Sequence, residues 1–144
     1  MSAHKQISKR IREQVYEKYD GHCAYCGRKI TFKEMQVDHV YSVYHAELNK
    51  KGKAVGVEDS KGDPKYLKEK AAHVNDIDNL MPACRQCNFY KGAMDIEAFR
   101  SQLETTLLHN TIDTFQFRLA ERYGLVQATP HHVRFYFEKE SGGE

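Results

Sequence analysis

Two Cys-x-x-Cys pairs, Cys23 with Cys26 and Cys84 with Cys87, hold all four cysteines of the 144-residue sequence. They constrain the topology before any helix or strand is assigned. Each pair offers two thiolates to one ion, and two pairs complete the tetrahedral four-sulfur shell of a structural zinc. Fifty-seven residues lie between Cys26 and Cys84. A shared ion therefore closes a long loop, and its binding free energy becomes folding free energy for a modest core. Four sulfurs leave no open coordination position, so chemistry must come from other side chains.

The length predicts one domain spanning residues 1–144. No apolar run approaches the ~20 residues of a bilayer span, so no membrane partner is expected. The N-terminal residues lack the apolar stretch of a secretion signal. An intracellular, cytoplasmic location follows as an expectation, and reduced thiols there favour metal over disulfides. The net charge of +2 conceals an asymmetry. Residues 1–33 carry eight lysines and arginines against three acids, whereas residues 92–144 carry five against eight. A basic leading third suits phosphate binding, and it equally suits a solvated helix face.

Ile7, Ile11, Val15 and Tyr19 recur every four residues and predict a leading helix with a basic outer surface. Asp20-Gly21 ends it, and Cys23 to Gly27 reads as a tight metal knuckle. Met35 to Tyr41 is rich in strand-forming residues. Residues 45–76 hold seven lysines, six acids, three glycines and a proline, the composition of a long exposed insertion. It reads as a solvated loop more readily than as a substrate flap, with a short helix about Tyr66 to Ala72. Order returns at Ile77 to Pro82, and a short helix runs from Cys87 to Lys91. Asp95 caps a longer helix with Ile96, Phe99, Leu103 and Leu107 on one face. The next helix turns Ile112, Phe115, Leu119 and Tyr123 inward and ends at Gly124. Val133 to Phe137 alternates as a short late strand.

Between the cysteine pairs, within the second and just beyond it stand the residues suited to chemistry. Asp38 is a hard oxygen ligand for a divalent ion, and the adjacent His39 can take a proton at physiological pH. Asn79 precedes an apolar turn. Asn88 follows Cys87 directly, so a zinc-fixed residue sets where its amide projects. Lys91, one helical turn on, and Arg85 inside the second pair are candidates to meet a phosphate. His45 and His73 flank the insertion without a role of their own.

The strings Cys23-Ala-Tyr-Cys26-Gly27, Val37-Asp38-His39-Val40 and Asn79-Leu-Met-Pro-Ala-Cys84-Arg85-Gln-Cys87-Asn88-Phe-Tyr-Lys91-Gly92 resemble the HNH endonucleases. The resemblance covers residues 20–92. It implies a ββα-metal core stapled by the four-cysteine zinc. With the leading helix and a C-terminal extension over 93–144 of packing helices and a short strand, both read from periodicity, the expected fold class is α+β. The resemblance implies His39 as the general base, Asp38 and Asn88 as ligands of a catalytic Mg²⁺ or Mn²⁺, and Asn79 as the central asparagine that orients the hairpin loop and the base. Asn75 is the weaker competitor for that last position. Asn88 stands where the family often has histidine, and thirty-nine residues between His39 and Asn79 exceed a compact hairpin. The implied partner is DNA, with RNA open, and a homodimer through the C-terminal helices also stays open. The rival reading is a non-catalytic zinc module that binds nucleic acid or protein.

Overall fold

A computed structural model describes residues 7–43 and 72–140, so the body of the 45–76 insertion, with its expected short helix, lies outside the described residues. They combine helices with one two-stranded antiparallel sheet, an α+β architecture. Two compact units emerge, one of residues 1–95 and 135–144 and one of residues 96–134. Among the described residues, no helix is long and apolar enough to cross a membrane.

In the first unit, α1 spans Lys9–Lys18. Ser8 caps it, its hydroxyl accepting from the Ile11 amide at 3.2 Å. Asp20 and Gly21 then take left-handed conformations, φ 52° and 78°, which stop the helix where the sequence places its end. Val15 faces the core, and α1 packs on β2. Two of the helix's cations work inside the protein. The Arg12 guanidinium donates to the carbonyls of Phe32 (3.0 Å) and Met35 (3.1 Å), and the Lys18 ammonium donates to those of Ile77 (3.0 Å) and Leu80 (2.6 Å).

Strand β1, Gln36–His39, pairs antiparallel with β2, Leu80–Ala83, placing Asp38 opposite Met81 and His39 opposite Leu80. A 3-10 turn, Ile77–Asn79, feeds β2. Helix α2 spans Arg85–Lys91 and starts two residues earlier than expected. Cys84 is its cap, with Sγ accepting from the Cys87 amide at 3.4 Å, so one thiol both ends the strand and begins the helix.

The expected late strand is absent from residues 133–137. Tyr136–Glu140 forms a helix instead, while Phe135 and Phe137 stack at 5.9 Å with Tyr25 edge-on to both. The Glu138 carboxylate accepts from the Phe135 amide, and the amides of Tyr136 and Phe137 donate to the carbonyls of Tyr25 and Ala24. Those bonds hold the segment against the knuckle without a ladder partner, so its alternation reflects aromatic stacking rather than strand pleating.

The second unit opens with α3, Ile96–Gln102, which continues through a π-helical stretch, Leu103–Leu107, into α4, Leu108–Ile112. Helix α5, Phe115–Arg122, is capped by Thr114 and followed by Gly124 at φ 75°. Its apolar stripe is not turned inward as expected: Phe115 is 68% exposed, Tyr123 75% and Leu119 37%. Periodicity shows that a helix has an apolar face, and it does not show that anything covers that face.

Candidate functional site

The four cysteine sulfurs lie within 4.8 Å of one another, and Cys26 Sγ is 3.9 Å from Cys84 Sγ. Among the described residues this is the one group of three or more His, Cys, Asp or Glu donors able to hold a metal ion. Sulfur separations of this size fit the tetrahedral shell of a zinc ion with ~2.3 Å zinc–sulfur bonds. The backbone supports that charge. Cys23 is lowered to about 4, first by its hydrogen bond with the Cys87 thiol and then by backbone bonds from Cys84, Cys26 and Tyr25. Burial works the other way on Cys26, raised to about 11. Gly27 closes the knuckle at φ 81°, where a Cβ would stand 2.8 Å from the Tyr136 ring.

Pleating puts Gln36 and Asp38 on one face of β1 and Val37 and His39 on the other. Helix α2 lies over the Gln36–Asp38 face: Asn88 Nδ2 donates to Gln36 Oε1 at 2.7 Å, and Lys91 Nζ is 3.0 Å from Asp38 Oδ2. Lys91 is the correction to the phosphate-contact expectation. Its side chain is fully buried, with its ammonium also reaching the His39 carbonyl at 3.4 Å. The spacing that placed it on the Asn88 face was sound, but that face turns inward. Arg85, the other phosphate candidate, is exposed.

Asp38 is buried, and its Oδ2 accepts from both Lys91 and the Tyr25 hydroxyl. Burial pushes its carboxyl above the ordinary carboxylate range, while Lys91 and Tyr25 pull it back. Burial also raises the Tyr25 phenol, with the Asp38 charge adding to the effect, so the phenol stays a proton donor. Tyr25 was not among the residues picked out for chemistry. Its position between two cysteines was the available signal.

His39 and Asn79 do not meet through their side chains as expected. Asn79 Oδ1 accepts from the Tyr41 amide at 2.7 Å, and its Nδ2 donates to the carbonyls of Tyr41 (2.9 Å) and Val74 (2.7 Å). It clamps the chain where it leaves β1 to the chain where it returns. The imidazole is held by Asn75, whose Oδ1 lies 3.0 Å from His39 Nε2. The side-chain contact to the imidazole thus comes from Asn75 and not from Asn79. His73 is exposed, bonds Asp76 at 2.7 Å and lines an open pocket with Tyr41, Asp78 and Asn79, and His45 lies outside the described residues.

For a second cation, the donor set is hard and oxygen-rich. With Asn88 Nδ2 spent on Gln36, its Oδ1 is the atom left to ligate. With Asp38 Oδ2 spent on Tyr25 and Lys91, Oδ1 is the remaining carboxylate oxygen. Both are hard oxygens of the kind Mg²⁺ or Mn²⁺ takes; Asp38 is buried beneath α2, and His39 lies on the opposite face of β1.

No family model and no curated protein matches this sequence. Among solved structures, the chain is similar to the type II-C Cas9 enzyme from Actinomyces naeslundii at TM-score 0.39 and 17% identity, over 69% of this chain and 9% of that one. The chain thus spans under a tenth of that enzyme's length, and a likeness of this degree carries neither fold nor activity across.

Proposed function

We propose that this protein is a metal-dependent endonuclease of the HNH type, hydrolysing phosphodiester bonds in DNA around a ββα-metal core. The observation that carries the proposal is the β1–α2 junction. A cysteine cluster suited to zinc fixes the helix start, and the helix lies across the strand that bears Asp38 and His39.

The residues divide the work as follows. Asn75 Oδ1 accepts from His39 Nε2–H, which leaves the lone pair on Nδ1. Nδ1 then takes a proton from the water attacking phosphorus, the P–O3′ bond breaks, and the 3′ oxygen departs with a proton from solvent. Asp38 and Asn88 would hold a divalent cation, which would supply Lewis-acid stabilisation of charge on the phosphoryl and leaving oxygens. The mechanism requires the twist at the end of β1 to bring His39, on the opposite face, to the same phosphate. Lys91 keeps the Asp38 carboxylate fixed from behind, and Asn79 keeps the return loop that carries Asn75 in place.

Plasmid cleavage measured with Mg²⁺, with Mn²⁺ and with EDTA tests the reading. Wild-type protein nicks or cuts only with a divalent ion, and His39→Ala loses a factor of roughly 10² to 10⁴ in rate while keeping its zinc. Zinc-loaded, folded protein that cuts with neither ion would move the assignment to a nucleic-acid-binding module.

A further inference from the structure

Cations of the first unit differ in what their charged heads meet. Arg12, Lys18 and Lys91 spend their charged heads on internal carbonyls or on Asp38. Arg28 and Arg85 do not. Both are exposed, and neither guanidinium is hydrogen-bonded to another described residue. They line one open groove of about 330 Å³ beside the second cysteine pair, together with Gln36, Gln86, Ile30 and Glu34.

We propose that this groove is a phosphate track for a nucleic-acid strand, with Arg28 and Arg85 as its cationic contacts and the two glutamine amides as neutral donors. Arginine presents a planar fork matched to phosphate oxygens, and amides commonly complete such backbone contacts. Gln36 sets the direction of the track. Gln36, which lines the groove, accepts from Asn88 at 2.7 Å, so the groove lies one hydrogen bond away from one of the residues assigned to the catalytic cation. This rests on the nuclease reading and deepens it by stating which side of the zinc knuckle the strand follows. Glu34 is the opposing charge. Its carboxylate caps the turn, accepting from the Thr31 amide at 2.9 Å, and it sits in the same groove as Arg28. A phosphate track carrying one acid gains affinity when that acid is neutralised.

The experiment is binding of the full-length protein to a fluorescein-labelled DNA duplex of mixed sequence, read by anisotropy between about 50 and 200 mM salt with Ca²⁺ replacing Mg²⁺. Arg28→Gln and Arg85→Gln each weaken binding and flatten the log–log salt slope by about 0.9, and the double variant flattens it by about 1.8. Arg85→Lys keeps most of the slope because the charge remains. Glu34→Gln, which preserves the cap, tightens binding severalfold. Zinc content equal to wild type shows that the knuckle is intact.

An unchanged slope in the double variant overturns the track. So does unchanged or weaker binding in Glu34→Gln with zinc content equal to wild type, because neutralising an acid inside a phosphate track raises affinity, and so does wild-type protein that binds no duplex. The two readings separate cleanly. Cleavage with unaltered slopes removes the track and leaves the nuclease, while altered slopes without cleavage under any divalent ion do the reverse.

Discussion

Lys91 and Asp38 form an ion pair with 0% and 5% of their side chains exposed, deep enough for desolvation to govern its energetics. Removing one partner strands the other. Lys91→Met should therefore cost about 3–5 kcal/mol, and adding Asp38→Asn should recover most of that, because a neutral pair has no charge to desolvate. Urea unfolding of the two variants checks this. The pH dependence has a definite sign. Burial already raises the Asp38 carboxyl, and loss of Lys91 removes the largest influence pulling it down. The folded single variant then binds more protons than its unfolded chain, so its stability falls as pH rises above the unfolded carboxylate value and recovers as pH drops. Equal deficits at low and neutral pH would contradict the pairing. At the imidazole, Asn75→Ala should lower kcat by roughly 10²-fold with KM little changed, since it misplaces the base without touching substrate contacts. Nitrogen-15 NMR gives an independent readout: His39 should pass from a single Nε2–H tautomer to a mixture.

At the scale of elements, the side chain of Asn79 joins the chain leaving β1 to the chain entering β2. Asn79 makes three hydrogen bonds to backbone on both sides of the turn. Asn79→Ala leaves those groups to compete for water or go unpaired, and should cost roughly 2–4 kcal/mol by denaturant titration with zinc content preserved. A loss below half of that would mean the turn is held by other contacts. Most of this architecture is legible in the sequence because the cysteines and helix stops act locally. The two Cys-x-x-Cys pairs, the Asp20-Gly21 stop and Gly124 stand where the sequence reading places them, whereas the Ser8 and Thr114 caps emerge only in the structure. What else escapes is tertiary. Spacing places Lys91 on the Asn88 face without saying that the face is buried, and alternation at Phe135 and Phe137 looks the same whether it serves a sheet or an aromatic stack. Asn75 could not outrank Asn79 from sequence, because the distinction lies in which amide reaches a ring 36 positions earlier in the chain.

At the scale of the whole molecule, the cysteine cluster joins segments that lie far apart in sequence, and a zinc ion held there would close the loop between them. Without zinc, the closure entropy of the 57-residue interval must be met by a small core built on Val15, Tyr25, Leu80 and Phe135. Extraction with a strong chelator should therefore unfold the first unit, and restoring Zn²⁺ should refold it. Tyrosine is the natural reporter, since the chain has no tryptophan. Tyr25 is packed edge-on against Phe135 and Phe137 in the first unit, whereas Tyr123 in the second is 75% exposed and contributes little near-ultraviolet dichroism. The tyrosine dichroism should collapse on chelation and return on adding one equivalent of Zn²⁺, while Mg²⁺ at millimolar concentration fails to restore it because thiolates are poor partners for so hard a cation. Recovery with Mg²⁺ alone would mean that the oxygen donors, rather than the sulfurs, hold this unit together.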